Sequence, residues 1–211
     1  MKKYDAILFD LDGTLLDTGP GIMRSAAYAL SQFSITVEHK EYLRAFVGPP
    51  LSKTFPKFGI PEASVNDAIV CFRQLYNTEG KYELEVYPGI EQMLKGLKDK
   101  GYPLYVCTSK PEPVAKEVLK RSGIDVYFDI IAGASFDEKR ENKKDVLMYL
   151  MEHLTCHNPI LIGDTVYDVI GAVQCGINAG AVAWGYGNVD EMMSEGAVFI
   201  AASPQDILGL F

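Results

Sequence analysis

Two pairs of aspartates draw attention because each pair follows a short apolar run. Asp10 and Asp12 come after "AILF", and Asp164 comes after "PILIG", with Asp168 four residues later. Carboxylates this close together repel one another, and burial at the end of a strand makes their charges more costly. A hard cation among them would offset the repulsion, and Mg²⁺ prefers oxygen ligands while keeping water and phosphate oxygens in its shell. The two pairs therefore predict a magnesium site.

Two further groups could bind a negatively charged substrate. Thr108 and Ser109 end another apolar run, and Lys143 and Lys144 open a helical pattern. The chemistry that this set suggests is phosphoryl transfer. One aspartate carboxylate would attack phosphorus, and a second would donate and accept protons. A lysine and a small hydroxyl would hold the charge of the transferring group.

These side chains can act together only if the elements that carry them end at one place. Short apolar runs recur along the chain, and continuous runs of this kind predict strands that are buried on both faces of a parallel sheet. Ligand sites form outside the carboxyl ends of such strands, so the aspartates and Thr108 are expected at one edge. The predicted strands are "AILFD" (6–10), "PLYVCTS" (103–109), "FDIIAGA" (128–134), "PILIGDT" (159–165), "AGAVAWG" (179–185) and a weaker "AVFIA" (197–201).

Helical patterns alternate with these strands from about residue 86 onward. The alternation predicts an α/β fold with a Rossmann-like parallel sheet. Gly101 and Gly123 follow two of the patterns, where glycine commonly ends a helix. The predicted helices of this part cover 89–101, 113–123 and 143–154.

The segment between the first strand and residue 86 breaks the alternation. From about Thr18 to Glu85 no run predicts a strand, and turns at 48–50 and 59–61 separate helical patterns. We therefore predict an α/β core made of residues 1–16 and 86–211, with a helical domain of residues 17–85 inserted after the first strand. The predicted helices of the insertion cover 21–33, 40–46, 50–58 and 64–80.

Composition and charge exclude several classes of function. The 211 residues carry a formal net charge of -8 without a lysine–arginine cluster, so we expect no nucleic-acid polymer as a partner. No apolar run approaches the roughly 18 residues that span a bilayer, and the charged N-terminus does not suit a signal peptide. Four scattered cysteines fit a reducing compartment. We expect a cytoplasmic protein with no membrane partner, either a monomer or a homodimer.

The motifs together resemble those of the haloacid dehalogenase-like phosphatase superfamily over nearly the whole chain. Asp10 to Thr14 matches Asp-x-Asp-Gly-Thr, Thr108 in "VCTSK" matches a strand-end hydroxyl, "NKK" supplies a lysine, and "GDTVYD" (163–168) matches Gly-Asp-x-x-x-Asp. The helical insertion resembles the family's small α-helical cap. The similarity is greatest to the phosphoglycolate phosphatase-like branch, and "FVGPPL" (46–51) resembles the cap of its 5′-nucleotidase-like members.

The resemblance implies roles for the aspartates. Asp10 would be the nucleophile and a magnesium ligand. Asp12 would be the general acid/base, with its backbone carbonyl on the metal. Asp164 would be a metal ligand, and Asp168 would hold a metal-bound water or the lysine. Dehalogenating members lack the second aspartate because their leaving group needs no proton, so the presence of Asp12 favours a phosphate ester as substrate.

The resemblance also implies how the substrate is held. Thr108 and the backbone around Ser109 would bind the phosphoryl oxygens, and a lysine would contact both the nucleophile and the phosphoryl group. The helical pattern favours Lys143 over Lys144 only weakly. Arg44 in the cap is a further candidate substrate contact, although such a residue is more often a solvated surface residue.

The function that these features predict is Mg²⁺-dependent hydrolysis of a small phosphorylated metabolite through an aspartyl-phosphate. Phosphoglycolate or a nucleoside monophosphate is the expected substrate. Two alternatives stay open. A phosphosugar mutase would use the same nucleophile, and a non-catalytic phospho-acceptor module would keep its aspartyl-phosphate instead of hydrolysing it.

Overall fold

A six-stranded sheet forms the centre of the computed structural model, which describes residues 3–135 and 139–211. Its strands stand in the order β5 (Ile130–Ala134), β4 (Leu104–Pro111), β1 (Ala6–Phe9), β6 (Pro159–Gly163), β7 (Asn178–Val182) and β8 (Ile200–Ala201), and every neighbouring pair is parallel. The sheet confirms the predicted α/β fold class. Two further strands, β2 (Leu16–Asp17) and β3 (Glu85–Val86), pair with each other outside this sheet.

The strand order explains why distant motifs can meet. The first strand lies between β4 and β6 and runs parallel to both. The carboxyl ends of these three strands are therefore neighbours, and the polar residues that follow them in sequence are delivered to one edge. This is the edge at which open parallel sheets bind their ligands.

Helices cover both faces of the sheet. Those of the core are α4 (Ile90–Asp99), α5 (Glu112–Ser122), α6 (Lys143–Met151), α7 (Val166–Gln174), α8 (Val189–Ser194) and α9 (Pro204–Leu210). Ile7 and Phe9 of β1 pack in one apolar cluster with α4, α5 and α9, whereas Ala6 and Leu8 pack in a second cluster with α6, α7 and α8. Because successive strand residues point to opposite faces, four consecutive apolar residues serve two layers of helices.

The helical insertion has an apolar cluster of its own. Its α-helices are α1 (Gly19–Gln32), α2 (Leu51–Thr54) and α3 (Val65–Thr78), and its cluster includes Leu30, Phe46, Phe55 and Phe72. Two predicted α-helices take another form. Lys40–Phe46 is a 3-10 helix, and the prediction over 50–58 divides into α2 and a 3-10 helix at Phe55–Phe58. Pro56 has no backbone N–H to donate to the carbonyl four residues earlier, so α2 does not continue through it.

A two-stranded ribbon stands where the chain enters and leaves the insertion. Leu16 pairs with Val86 and Asp17 with Glu85 in antiparallel register. The expectation that no strand occurs up to Glu85 is therefore wrong at its last residue, because a strand of two residues is too short to produce a periodic signal. The domain bounds at 16/17 and 85/86 stay a prediction, although the ribbon coincides with them.

No helix in the part of the chain that the structure describes is long and apolar enough to cross a bilayer.

Candidate active site

The turn after β1 brings the first pair of aspartates to the end of β6. The backbone N–H of Asp10 donates to the carbonyl of Ile162 at 2.9 Å, which aligns the ends of the two strands. Gly13 then adopts a φ of +81°, and a Cβ at this position would lie 2.2 Å from Oδ2 of Asp164. A glycine is needed here because its φ is left-handed and because the loop must approach Asp164 closely.

Asp164 is fully buried beside this turn. Its Oδ1 accepts a hydrogen bond from the Thr14 hydroxyl at 3.1 Å, and its Oδ2 accepts from the backbone N–H of Tyr186 at 2.8 Å. Burial raises the pKa of Asp164 well above its ordinary value, and the carboxylates of Asp168 and Asp10 raise it further. The carboxyl group is thus fixed in orientation, while its burial and the neighbouring carboxylates oppose its ionisation.

Asp168 joins the start of α7 to Lys143. Its Oδ2 accepts hydrogen bonds from the backbone N–H and the hydroxyl of Thr165 at 3.0 and 2.8 Å. Its Oδ1 lies 2.7 Å from Nζ of Lys143. One oxygen therefore satisfies the open donors at the beginning of the helix, and the other orients the ammonium group.

The structure separates the two lysines that the sequence left open. The side chain of Lys143 is only 5% exposed, and its Nζ lies 2.7 Å from Oδ1 of Asp10 and donates to the Cys107 carbonyl at 2.9 Å. Burial by itself would lower the pKa of Lys143, but Asp10 and Asp168 raise it above its ordinary value, so the group is an ammonium ion. Lys144 is exposed.

Three of the aspartates could hold a metal ion. Asp10, Asp164 and Asp168 are buried and offer ligand oxygens that all lie within 4.8 Å of one another. If all three are ionised, Lys143 balances one of the charges and two remain. Burial raises the pKa of Asp10 to about 6, although Lys143 lowers it. A compact set of hard oxygen donors with an excess of two negative charges fits a divalent cation such as Mg²⁺.

Asp12 has different partners from the other aspartates. Its Oδ1 accepts a hydrogen bond from the Thr18 hydroxyl at 2.6 Å. The ammonium of Lys110 lies 2.8 and 2.9 Å from its two oxygens and is almost fully buried. Burial would lower the pKa of Lys110, but Asp12 and Tyr76 raise it above its ordinary value. Lys110 was missed by the sequence analysis, which ended the strand at residue 109.

The strand-end hydroxyls lie beside this pair. Thr108 is buried, and its Oγ1 accepts a hydrogen bond from the backbone N–H of Lys110 at 3.2 Å. Ser109 is half-buried and lines the cavity described below. Both residues thus lie at the carboxyl end of β4, next to the carboxyl end of β1, as the parallel pairing requires.

A cavity of about 460 Å³ lies between the insertion and the core, and Asp12 is one of the residues that line it. The polar residues that line it include Asn66, Arg73 and Asn77, which all belong to α3. The apolar residues that line it come from both the insertion and the core. The other residues that line it are Asp12, Ile22, Phe46, Gly48, Pro49, Pro50, Leu51, Ser52, Ile69, Val70, Phe72, Tyr76, Ser109, Lys110, Pro111, Val114, Ala134, Ser135 and Glu141.

Arg44 lies to one side of this cavity. Its guanidinium carbon is 4.8 Å from the centre of the Tyr186 ring, and one of its nitrogens donates to the Gly185 carbonyl at 3.3 Å. Arg44 is exposed and is not among the residues that line the cavity. It joins the insertion to the loop beside Asp164, and its contact with substrate stays a prediction.

Comparison with known proteins agrees with this geometry. Residues 7–182 match the family model described as haloacid dehalogenase-like hydrolase. A 5′-nucleotidase of Pseudomonas aeruginosa is 36% identical over 193 residues, which cover 90% of this chain and 87% of that protein. The tyrosine-protein kinase PtkA of Mycobacterium tuberculosis is 38% identical over 186 residues, covering 87% of this chain and 64% of that protein.

A similar architecture is also found among solved structures. The crystal structure of a predicted phosphatase from Clostridium acetobutylicum superimposes with a TM-score of 0.93 at 40% identity, covering 98% of this chain and 97% of that one.

Proposed function

The chain belongs to the haloacid dehalogenase-like hydrolases and is a phosphatase, and we propose that it hydrolyses small phosphomonoesters through an aspartyl-phosphate formed on Asp10, with Mg²⁺ as cofactor. The observation that carries the proposal is the position of the Asp10 carboxylate. It lies at the carboxyl end of β1, 2.7 Å from the Lys143 ammonium and within reach of Asp164. Asp12 lies two residues further on and faces the cavity.

The first step transfers the phosphoryl group to the enzyme. The carboxylate of Asp10 forms a bond to phosphorus as the bond between phosphorus and the leaving oxygen breaks. Asp12 gives its proton to that leaving oxygen. Lys143 and the hydroxyl of Thr108 hold the charged phosphoryl oxygens in this account, because both are fixed by burial and hydrogen bonds before the substrate arrives.

The second step returns Asp10 to its starting state. Asp12, now a carboxylate, takes a proton from a water molecule whose oxygen forms a bond to phosphorus. The bond between phosphorus and Asp10 breaks, and phosphate leaves. Asp10, Asp164, Asp168 and the backbone carbonyl of Asp12 would hold Mg²⁺, which when bound stabilises the negative charge on the phosphoryl oxygens.

The proposed metal site can be tested without measuring activity. We expect Mg²⁺ at a hundred times its dissociation constant to stabilise the wild-type protein by about 2.7 kcal/mol, a rise in Tm of roughly 5 to 11 °C for a chain of this size. In Asp164→Asn the same Mg²⁺ concentration should give less than half of that rise, because one charged ligand is lost. Differential scanning calorimetry with and without EDTA measures both values.

A matched substitution separates the metal site from general effects of charge. Asp99 is exposed at the end of α4, so Asp99→Asn should keep the full Mg²⁺-dependent rise. An unchanged rise in Asp164→Asn, or no rise in the wild-type protein at any Mg²⁺ concentration, would contradict the proposed site. Phosphatase activity should also be lost in excess chelator and return when Mg²⁺ is restored.

The cavity supports a substrate with a sizeable leaving group. Its volume of about 460 Å³ accommodates a nucleoside, and the polar side chains of α3 could contact its base or ribose. Phosphoglycolate would fill only a small part of that volume. We therefore place nucleoside monophosphates first among the proposed substrates and phosphoglycolate second.

A panel of phosphorylated metabolites with Mg²⁺, assayed as released phosphate, tests this order. Nucleoside monophosphates should have kcat/KM values at least about tenfold above that of phosphoglycolate. The panel should include a phosphotyrosine peptide, because one relative is named a tyrosine-protein kinase. A reversed order would remove the argument from cavity volume while leaving the phosphatase chemistry intact.

The phosphosugar mutase remains the second candidate, because it would use the same nucleophile and acid/base pair. Product analysis separates the two functions, since a phosphatase releases inorganic phosphate and a mutase returns an isomerised sugar phosphate. The cytoplasm stays the proposed compartment, and the four free cysteines are in keeping with it. Whether the protein is a monomer or a homodimer stays a prediction.

A further inference from the structure

Lys110 is a buried charge that the proposed steps do not use. Its side chain is 4% exposed, and it sits near the end of β4, where it contacts both oxygens of Asp12. Burying an ion pair usually costs more than packing apolar side chains of similar volume. A buried lysine at this position therefore calls for a reason other than stability, and its place on the cavity wall suggests a role in the reaction.

The two aspartates of the first motif have separate lysines. Lys143 from α6 contacts Asp10 and Asp168, whereas Lys110 from β4 contacts Asp12. Lys143 already supplies an ammonium group to the nucleophile and the phosphoryl group, so Lys110 is not needed for that role. Lys110 is a second contact that restrains the orientation of the Asp12 carboxylate, in addition to the hydrogen bond that Thr18 donates to it.

The helical cap reaches the same ammonium group. Nζ of Lys110 lies 4.9 Å from the centre of the Tyr76 ring, which belongs to α3 of the cap. At this distance the ammonium group makes a cation–π contact with the ring. Tyr76, Lys110 and Asp12 all line the cavity, so the contact spans the boundary between the cap and the core at the point where the leaving group would lie.

We propose that Lys110 is a positioning residue, which fixes the carboxyl group of Asp12 for proton transfer and ties its orientation to the cap through Tyr76. The inference rests on the phosphatase function proposed above. While Asp12 carries its proton on one oxygen, Lys110 keeps its contact with the other. The proton then passes from Asp12 to the leaving oxygen as the ester bond breaks, and Asp12 recovers a proton from water in the second step.

The dependence of the rate on the leaving group distinguishes this role from a structural one. An alkyl leaving group such as the 5′-oxygen of a nucleoside monophosphate needs a proton, whereas p-nitrophenolate leaves without one. The measured quantity is kcat/KM, because it reports the steps up to formation of the aspartyl-phosphate. In Lys110→Met we expect kcat/KM for adenosine monophosphate to fall at least about tenfold more than kcat/KM for p-nitrophenyl phosphate, and in Lys110→Arg the difference should shrink.

The cap contact has its own variants. Tyr76→Leu removes the ring and should change the ratio of the two kcat/KM values in the same direction by a smaller factor, whereas Tyr76→Phe keeps the ring and should keep the ratio. Lys116→Met replaces an exposed lysine of α5 and serves as the matched control. Thermal unfolding of each variant shows whether it folds, and if Lys110→Met does not, Lys110→Arg and Tyr76→Leu carry the test.

The outcomes separate this inference from the function on which it rests. A wild-type protein that hydrolyses neither p-nitrophenyl phosphate nor any ester of the metabolite panel would overturn the phosphatase function and the inference together. A wild-type protein that hydrolyses both, with Lys110→Met lowering the two kcat/KM values by the same factor, would overturn the inference alone. An unchanged ratio in Tyr76→Leu would overturn the link to the cap.

Discussion

Asp10→Asn should lower kcat by about a thousandfold or more, which corresponds to roughly 4 kcal/mol in the activation barrier. The amide has nearly the shape of the carboxylate, but it is a poor nucleophile and a weaker metal ligand. Substitution should not unfold the protein, because Lys143 keeps its contact with Asp168 and because a buried charge is removed from a repelling group. Steady-state release of phosphate and thermal unfolding measure the two effects.

The same substitution at an exposed aspartate far from the site is the control for Asp10→Asn. Asp99→Asn, on the exposed end of α4, should leave kcat within about twofold of the wild-type value. If Asp10→Asn kept even a tenth of the wild-type activity while remaining folded, Asp10 would not be the nucleophile. A loss of activity that came with unfolding would be assigned to the fold instead, and calorimetry distinguishes these cases.

The second large effect is expected for Lys143. Lys143→Met should lower kcat/KM at least about a hundredfold, or about 2.7 kcal/mol in transition-state stabilisation. The reason is that Nζ of Lys143 lies 2.7 Å from the carboxylates of both Asp10 and Asp168, where the transferring group would meet it. Methionine keeps the length and the apolar stem of the side chain, so the change removes mainly the charge.

The neighbouring lysine provides the control. Lys144 is exposed, so Lys144→Met should change kcat/KM less than about threefold. Both variants are assayed at saturating Mg²⁺, so that a weaker metal site does not contribute to the loss. The reverse order, with Lys144→Met more damaging than Lys143→Met, would contradict the site described above.

The sequence predicted the elements that depend on long or strong patterns. The strand at Ala6–Phe9 is apolar at every position because both of its faces are covered. The elements that depend on the fold as a whole were not predicted. The ribbon of Leu16–Asp17 and Glu85–Val86 has two residues in each strand and leaves no periodic signal.

The lysines show the same limit within the site. Asn142 caps α6 by accepting a hydrogen bond from the backbone of Asp145, and this start of the helix turns Lys143 inward. The sequence placed a lysine at the start of the helix but did not separate Lys143 from Lys144 as the one that points into the site, because both have similar spacing from apolar residues. Lys110 gave no signal at all, since a lysine at a strand end is ordinarily exposed and its partner Asp12 is 98 residues away in the chain.

The side chains that cross between distant loops were missed for a similar reason. Tyr186 donates its backbone N–H to Asp164 and its hydroxyl to Asp17, and thereby joins Asp164 to the entry of the cap. An aromatic residue in a glycine-containing loop predicts neither contact. Such residues become visible only when the strand order has placed their loops side by side.

Chemical trapping of the intermediate would show directly whether Asp10 carries the phosphoryl group. The protein is mixed with substrate and Mg²⁺, quenched in acid within one turnover and treated with borohydride, which reduces an aspartyl-phosphate to homoserine. Asp12→Asn is used beside the wild-type protein, because the loss of the proton acceptor should slow hydrolysis of the intermediate. We expect conversion of Asp10 alone to homoserine, located by mass spectrometry of peptides. Conversion at Asp12, Asp164 or Asp168, or release of phosphate with no converted residue in either protein, would contradict it.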